Sequence, residues 1–203
     1  STTGASLDSV SSNTNGGSGF IVGADATMTN CTASGNGGSG IGGSDNGKVS
    51  GSSAIDNAGD GISFGSESTI ESSLASGNGN DGVSVGTGAT VSSCTANDNK
   101  RGFGVGDASL IVNSVAARNS ATGFETGAAA EVRSCNATAN KGNGFSIGRS
   151  ASIIDSTAGF NDSHGIVLDL GSVARGNAAR ENKLIGIFVV AEAVGVVVER
   201  NQA

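Results

Sequence analysis

The feature that most constrains this chain is a repeat. Asn recurs at Asn15, Asn36, Asn57, Asn78, Asn99, Asn119, Asn140, Asn161 and Asn182, every 21 residues except for one step of 20 from Asn99 to Asn119. Three residues before each Asn stands Ser12, Ala33, Ala54, Ala75, Ala96, Ala116, Ala137, Ala158 or Ala179. Five residues before come the short side chains Cys31, Ser52, Ser73, Cys94, Ser114, Cys135, Ser156 and Asn177. After each Asn follows Gly with a large apolar residue, as in Gly40-Ile41, Gly61-Ile62, Gly102-Phe103 and Gly144-Phe145. A period of this length is the mark of a solenoid, in which one unit buries its apolar face only against its neighbours.

The fine structure of the repeat sets the element type. Phe20 and Val22 flank Ile21, Met28 lies between Thr27 and Thr29, and Ala33 lies between Thr32 and Ser34, so apolar residues alternate with polar ones at the strand period of two. Between Met28 and Cys31 the alternation slips by one residue, which predicts a corner. A helix is excluded by the period and by 35 Gly. Hexapeptide coils would repeat every 18 residues, and the calcium-binding nonapeptide roll needs a Gly-Gly-x-Gly-x-Asp series that this chain lacks. Each unit is therefore read as one coil of three short strands.

Units such as Asn57-Ala-Gly-Asp-Gly-Ile-Ser-Phe and Asn161-Asp-Ser-His-Gly-Ile-Val-Leu resemble the repeats of right-handed parallel β-helix proteins of the pectate-lyase-like superfamily. The resemblance covers essentially the whole chain. It implies an all-β, single-domain right-handed parallel β-helix over residues 1–203, with about nine coils of 21 residues. The superfamily mixes polysaccharide lyases, hydrolases, epimerases, tailspikes and surface proteins, so the resemblance speaks to fold and not to activity. Stacking at about 4.8 Å per coil gives a rod on the order of 45 Å. The Asn column is expected at a left-handed corner, with its amides bonded from coil to coil. The Ala column is expected where the coil is narrow.

Composition narrows the functional classes. The net charge is −7, no run of Lys or Arg occurs, and Trp and Tyr are absent, so the residues for phosphate neutralisation and base stacking are lacking. No apolar stretch is long enough to insert in a membrane. Ser1 reads as a trimmed or mature start.

Catalytic and metal chemistry find little to work with. Cys31, Cys94 and Cys135 share one inward column, and even Cys94 and Cys135 stand two coils apart, about 9.6 Å, beyond disulfide reach. His164, the single His, sits at a loop position that neighbouring coils fill with Asp60, Asp81, Arg101, Thr122, Asn143 and Ile185. Outward positions on one sheet are Gly42, Ser63, Ser84, Gly104 and Ser146, with Glu125 the exception. Glu71 and Arg133 share a column three coils apart, and Asp56 and Asp98 share another two coils apart. No catalytic residue, metal site or cofactor is expected. Thr27-Met28-Thr29 is the one Thr-x-Thr, too little for an ice-binding array, and two sequons outside the Asn ladder, at Asn30 and Asn136, are unremarkable in so Asn-rich a chain.

The two ends differ. The first coil is polar, whereas residues 184–199 are apolar on both faces, with Ile187, Val189, Val196 and Val198 read as inward and Phe188 and Val197 as outward. An uncapped β-helix exposes strand edges, so Ile187, Phe188, Val196 and Val197 mark an expected stacking interface. The expectation is a non-catalytic structural rod, extracellular or on a cell surface, that stacks end to end or abuts a flanking domain. The alternative is a carbohydrate-binding or polysaccharide-cleaving module. The near-constant spacing predicts no insertion between coils.

Overall fold

A computed structural model describes residues 4–203. Ser1, Thr2 and Thr3, part of the polar first coil, lie outside the described residues. Its 28 strands, mostly of three residues, wind into three parallel sheets of 10, 9 and 9 strands. The first sheet runs from Ser6–Asp8 to Val197–Glu199, the second from Ser11–Asn13 to Ala178–Arg180, and the third from Phe20–Ile21 to Ile187–Val189. Every strand pairs with its counterpart one coil away, which places residue 69 beside 90 and residue 75 beside 96. The sequence period is thus the pairing register.

Two coils break the period. The 20-residue step appears as Val83 paired with Phe103 and Thr90 paired with Leu110. The missing residue lies in the loop after Asn99, because Asn99 and Gly102 are three apart where Asn78 and Gly82 are four apart. The second break corrects the expectation of constant spacing. Ile166 still pairs with Ile187, but Val173 pairs with Val197, 24 residues on, so the last turn carries three extra residues between Val189 and Val197. Repeating Val and Ala through this segment hide the insertion from a column count.

Each regular coil turns at three left-handed residues. One set is Ser9, Asn30, Gly51, Ser72, Ser93, Asn113, Ser134, Asp155 and Gly176, and a second includes Asp25, Asn46, Glu67, Gly88, Ala108, Ala129 and Ser150. The third is Thr14, Gly35, Asp56, Gly77, Asp98, Arg118, Ala139, Phe160 and Glu181, each immediately before a ladder Asn. The expectation that Asn itself takes the left-handed conformation is therefore corrected. A left-handed residue swings the chain so that the residue after it points inward, and Asn is that next residue. Left-handed backbone costs a residue with a Cβ on the order of 1 kcal/mol. Here Arg118 and Phe160 bear it while their N–H groups still donate to Thr138 O (3.1 Å) and Arg180 O (3.2 Å) of the next coil. The corner stays inside the hydrogen-bond ladder.

The core is a set of stacked columns. Phe103, Phe124 and Phe145 are fully buried, with rings parallel at centroid spacings of 4.7 and 4.8 Å. Phe64 shows how size is traded between coils: a Cβ on Gly43 or Gly47 of the preceding coil would fall 2.1 or 2.2 Å from its ring. The Ala column is the centre of the second sheet, not a corner, and Ala33 through Ala158 are fully buried. It is narrow because the Gly column of the third sheet packs across it.

The thiols occupy the inward column after the first set of corners, interchangeable with Ser. Cys94 Sγ donates to Ser92 O at 3.2 Å, and Cys135 Sγ donates to Arg133 O at 3.2 Å. All three thiols are free and buried. Burial pushes the Cys94 and Cys135 thiols from their ordinary 9.0 up to about 11, the backbone contacts only partly offsetting it.

Two outcomes test this packing. Ala96→Leu is expected to cost about 1–3 kcal/mol by overpacking the narrow layer, read as a lowered thermal midpoint; an unchanged midpoint would refute the inward assignment. The three thiols are expected to resist alkylation until the protein unfolds. Because the folded-state pKa is raised, the stability that Cys94 and Cys135 contribute as thiols is complete below pH 9 and declines as pH climbs towards about 11. Rapid alkylation of the native protein at neutral pH would contradict their burial.

Candidate functional site

The Asn side chains form a continuous hydrogen-bonded column, buried from Asn36 to Asn161. Asn57 shows the pattern. Its backbone N–H and its Nδ2 both donate to Asn78 Oδ1, at 3.1 and 3.0 Å, and Nδ2 also donates to Ala33 O at 3.1 Å. Each buried amide is thereby satisfied on both donors and on its carbonyl oxygen, which is what makes a buried Asn tolerable. The column weakens only at the short step, where Asn99 N–H still donates to Asn119 Oδ1 at 2.9 Å but its Nδ2 reaches Ala75 O alone. A second amide pair closes the Ser/Cys column, Asn177 donating to Asn201 Oδ1 from N–H (2.8 Å) and Nδ2 (2.9 Å). Sequence reading missed that pair because the three-residue insertion puts Asn201 out of phase.

On the outer surface, charged groups cluster where the repeat is shortest. Arg101 Nε donates to Asp81 Oδ1 at 3.0 Å, and its Nη1 donates to Glu125 Oε2 at 2.6 Å, so the guanidinium bridges three coils. It lies over Gly104, whose absent Cβ would stand 2.6 Å from Nη2. Partial burial lowers its basicity, but the bonds to Asp81 and Glu125 outweigh this and raise its pKa. A guanidinium held by two carboxylates is a clamp between coils.

The remaining expected residues are dispersed. Asp98 pairs with Arg118 of the next coil (2.8 Å) and not with Asp56, while Arg133 pairs with Glu131 of its own strand and not with Glu71. His164 does more than fill a variable loop position. Its Nδ1 accepts from Ile185 N–H at 3.2 Å, and its ring stacks on Phe188 at 4.6 Å, fastening the last coil to the one before. No group of three or more His, Cys, Asp or Glu gathers into a metal-binding geometry among the described residues. Among the described residues no helix is long and apolar enough to cross a membrane.

At the C-terminal end, Ile187 and Val196 pack against the core, and Phe188 and Val197 are half-buried. Val189 and Val198 continue the inward columns of Leu168 and Ala174 yet are 37% and 47% exposed, because no described coil lies above them. Leu184, Ile185 and Val194 add 60%, 47% and 68% exposure.

Comparison with known proteins places this geometry. Residues 2–114 match the family described as the right-handed beta helix region. No curated protein matches the chain by sequence. Among solved structures, the A-module of a mannuronan C-5 epimerase of Azotobacter vinelandii superposes with a TM-score of 0.80 at 14% identity, over 97% of this chain and 63% of that one. The Dettilon tailspike protein gives 0.72 at 13% identity, over 92% of this chain and 48% of that one. A pectate lyase gives 0.54 at 13% identity, over 83% and 61%. At such identities the likeness is one of fold, and this chain spans less than two thirds of each of those proteins. With its parallel register, its three-cornered coils and a family match over more than half its length, the chain belongs to the right-handed beta helix family.

Proposed function

We propose that this chain is a non-catalytic β-solenoid rod, one domain over residues 1–203, acting outside the cell or on its surface as a stalk segment or fibre subunit. The observation that carries this reading is the surface of the last coil. There Asn182 Nδ2 donates to Ala158 O, but no further ladder Asn accepts its second proton or its backbone N–H. On the same final turn of the rod Val189, Val194 and Val198 are exposed. Unpaired backbone groups next to apolar side chains are what another coil covers, since it supplies acceptors and apolar contact together. Such a head-to-tail contact does not close on itself and propagates.

Charge is compatible with that geometry. Residues 1–99 carry nine acidic residues against Lys48 alone, whereas residues 100–203 carry nine against ten cations. Head-to-tail alignment brings the near-neutral half of one rod to the acidic half of the next and avoids juxtaposing two acidic halves.

A second reading is favoured by the fold neighbours, which include an epimerase of mannuronan and a pectate lyase. On that reading the chain is a carbohydrate-binding or polysaccharide-cleaving module. The outer face offers Arg101 already neutralised by two carboxylates, and no Tyr or Trp for sugar stacking, so the rod reading is preferred.

Light scattering at rising protein concentration tests the rod. The chain is expected to grow in mass with concentration, and a Val194→Lys, Val198→Lys variant is expected to stay monomeric. If both remain monomeric at high concentration, stacking between copies is wrong. Pectate, alginate and related acidic glycans are expected to survive incubation with the protein, with or without calcium. Turnover that disappears in His164→Ala would overturn the non-catalytic reading.

A further inference from the structure

The residue just before each Gly of the third sheet carries a second line of contacts along the rod. Ser18 Oγ accepts from Ser39 N–H (3.2 Å), Ser39 Oγ from Asp60 N–H (3.3 Å), and Asp60 Oδ1 from Asp81 N–H (3.2 Å). The pattern returns further on, where Asn143 Oδ1 accepts from His164 N–H and His164 Nδ1 accepts from Ile185 N–H, both at 3.2 Å. Each of these side chains lends an acceptor to the backbone of the coil above. His164 holds the last place in the relay, because the Ile185 side chain has no acceptor to offer.

His164 is also the member whose acceptor can be withdrawn near neutral pH. To accept at Nδ1 the imidazole must be neutral, with its proton on Nε2. Protonation puts a hydrogen on Nδ1, and donor then faces donor. A histidine ordinarily takes up that proton around pH 6.5, where hydroxyls and amides do not titrate and a carboxylate is ordinarily still ionised. Ile185 N–H has no other acceptor among the described residues, and Leu184 and Ile185 are already well exposed.

The surroundings offer a protonated ring no second anchor of opposite charge. The adjoining loops carry Lys141 below, Asp162 in the loop of His164 itself and Lys183 above, and Lys183 Nζ pairs with Asp162 at 2.9 Å. The strands beside it, Phe145–Ile147, Ile166–Leu168 and Ile187–Val189, carry no ionisable group. The Phe188 face, stacked on the ring at 4.6 Å, attracts a cation, so protonation costs the bond to Ile185 and spares the stack.

We infer that His164 is a proton-operated latch on the last coil, fastening the loop of residues 182–186 while its imidazole is neutral and releasing Ile185 when the ring is protonated. The stability it contributes is present above the histidine range and is lost as pH falls through it. That loop carries Asn182, the end of the ladder, so the latch sets the order of the face that the rod reading assigns to stacking. The inference itself does not need the rod reading, because the bond lies within one chain.

Amide hydrogen exchange of the full chain, followed residue by residue by NMR and corrected for the intrinsic effect of pH, tests the latch. Between about pH 8 and about pH 5 the protection of Ile185 is expected to fall about fivefold or more, the worth of one hydrogen bond. The His164 amide, held by Asn143 in the same relay, is expected to keep its protection. In His164→Asn, which repeats the residue one coil below, Ile185 is expected to stay protected at both pH values. In His164→Ala it is expected to be unprotected at both. Level protection of Ile185 in the unaltered chain, or exchange as fast as an unfolded amide throughout, would overturn the latch. So would an equal loss in His164→Asn, which would trace the effect to acid weakening of the coil at large.

Discussion

The structure depends on one packing unit, the meeting of Asn, Gly and Ala columns inside the coil. A Cβ added to Gly82 would stand 2.6 Å from Asn99 Nδ2 and 2.7 Å from Ala96 Cβ, and Gly40, Gly61 and Gly144 face the same triad in their own coils. The amide reaches its neighbour in the next coil only because Gly and Ala leave it room. In return, the amide satisfies polar groups that burial would otherwise strand, at a cost of several kcal/mol in an apolar interior. Neither the small residues nor the Asn can be exchanged alone, which is why all three recur together along the rod.

That unit also explains how the corners are tolerated. A coil with three left-handed residues, several of them bulky, carries backbone strain that an isolated turn would relieve by opening. Here the same residues donate backbone hydrogen bonds to the next coil, so opening one corner breaks a ladder as well. Stability in such an array is a sum over coils and the interfaces between them. The interior coils, with two neighbours each, are the most firmly held, and the last coil relies on Ile187, Val196 and the His164 contacts to Ile185 and Phe188.

The departures from regularity are where this molecule acquires individual features. Deleting one residue after Asn99 breaks one amide–amide bond of the ladder, and the same shortened segment carries Arg101, which ties its coil to Asp81 and Glu125. Adding three residues before Val197 widens the final turn and displaces Asn201 into a second amide column. A uniform solenoid presents the same surface at every coil, so a specific contact has to arise where the repeat is altered.

What the sequence determined by itself is the architecture. A 21-residue period with alternation of two sets strand pairing, register and inward columns at once, because parallel stacking puts each residue directly over its equivalent. The sequence also marked the position of the short step and the apolar character of the last coil. Tertiary structure alone decided which residue of each corner is left-handed, since the residue before Asn varies from Gly and Asp to Arg, Ala and Phe and only the chain path separates its role from that of Asn. It alone paired Arg101 with Asp81 and Glu125, Asp98 with Arg118, and His164 with Phe188. Those pairs join side chains of different columns, whose reach depends on rotamer and on the room left by Gly104 or a shortened loop. A column count reads what lies directly above each residue; what lies beside it is set by three-dimensional packing.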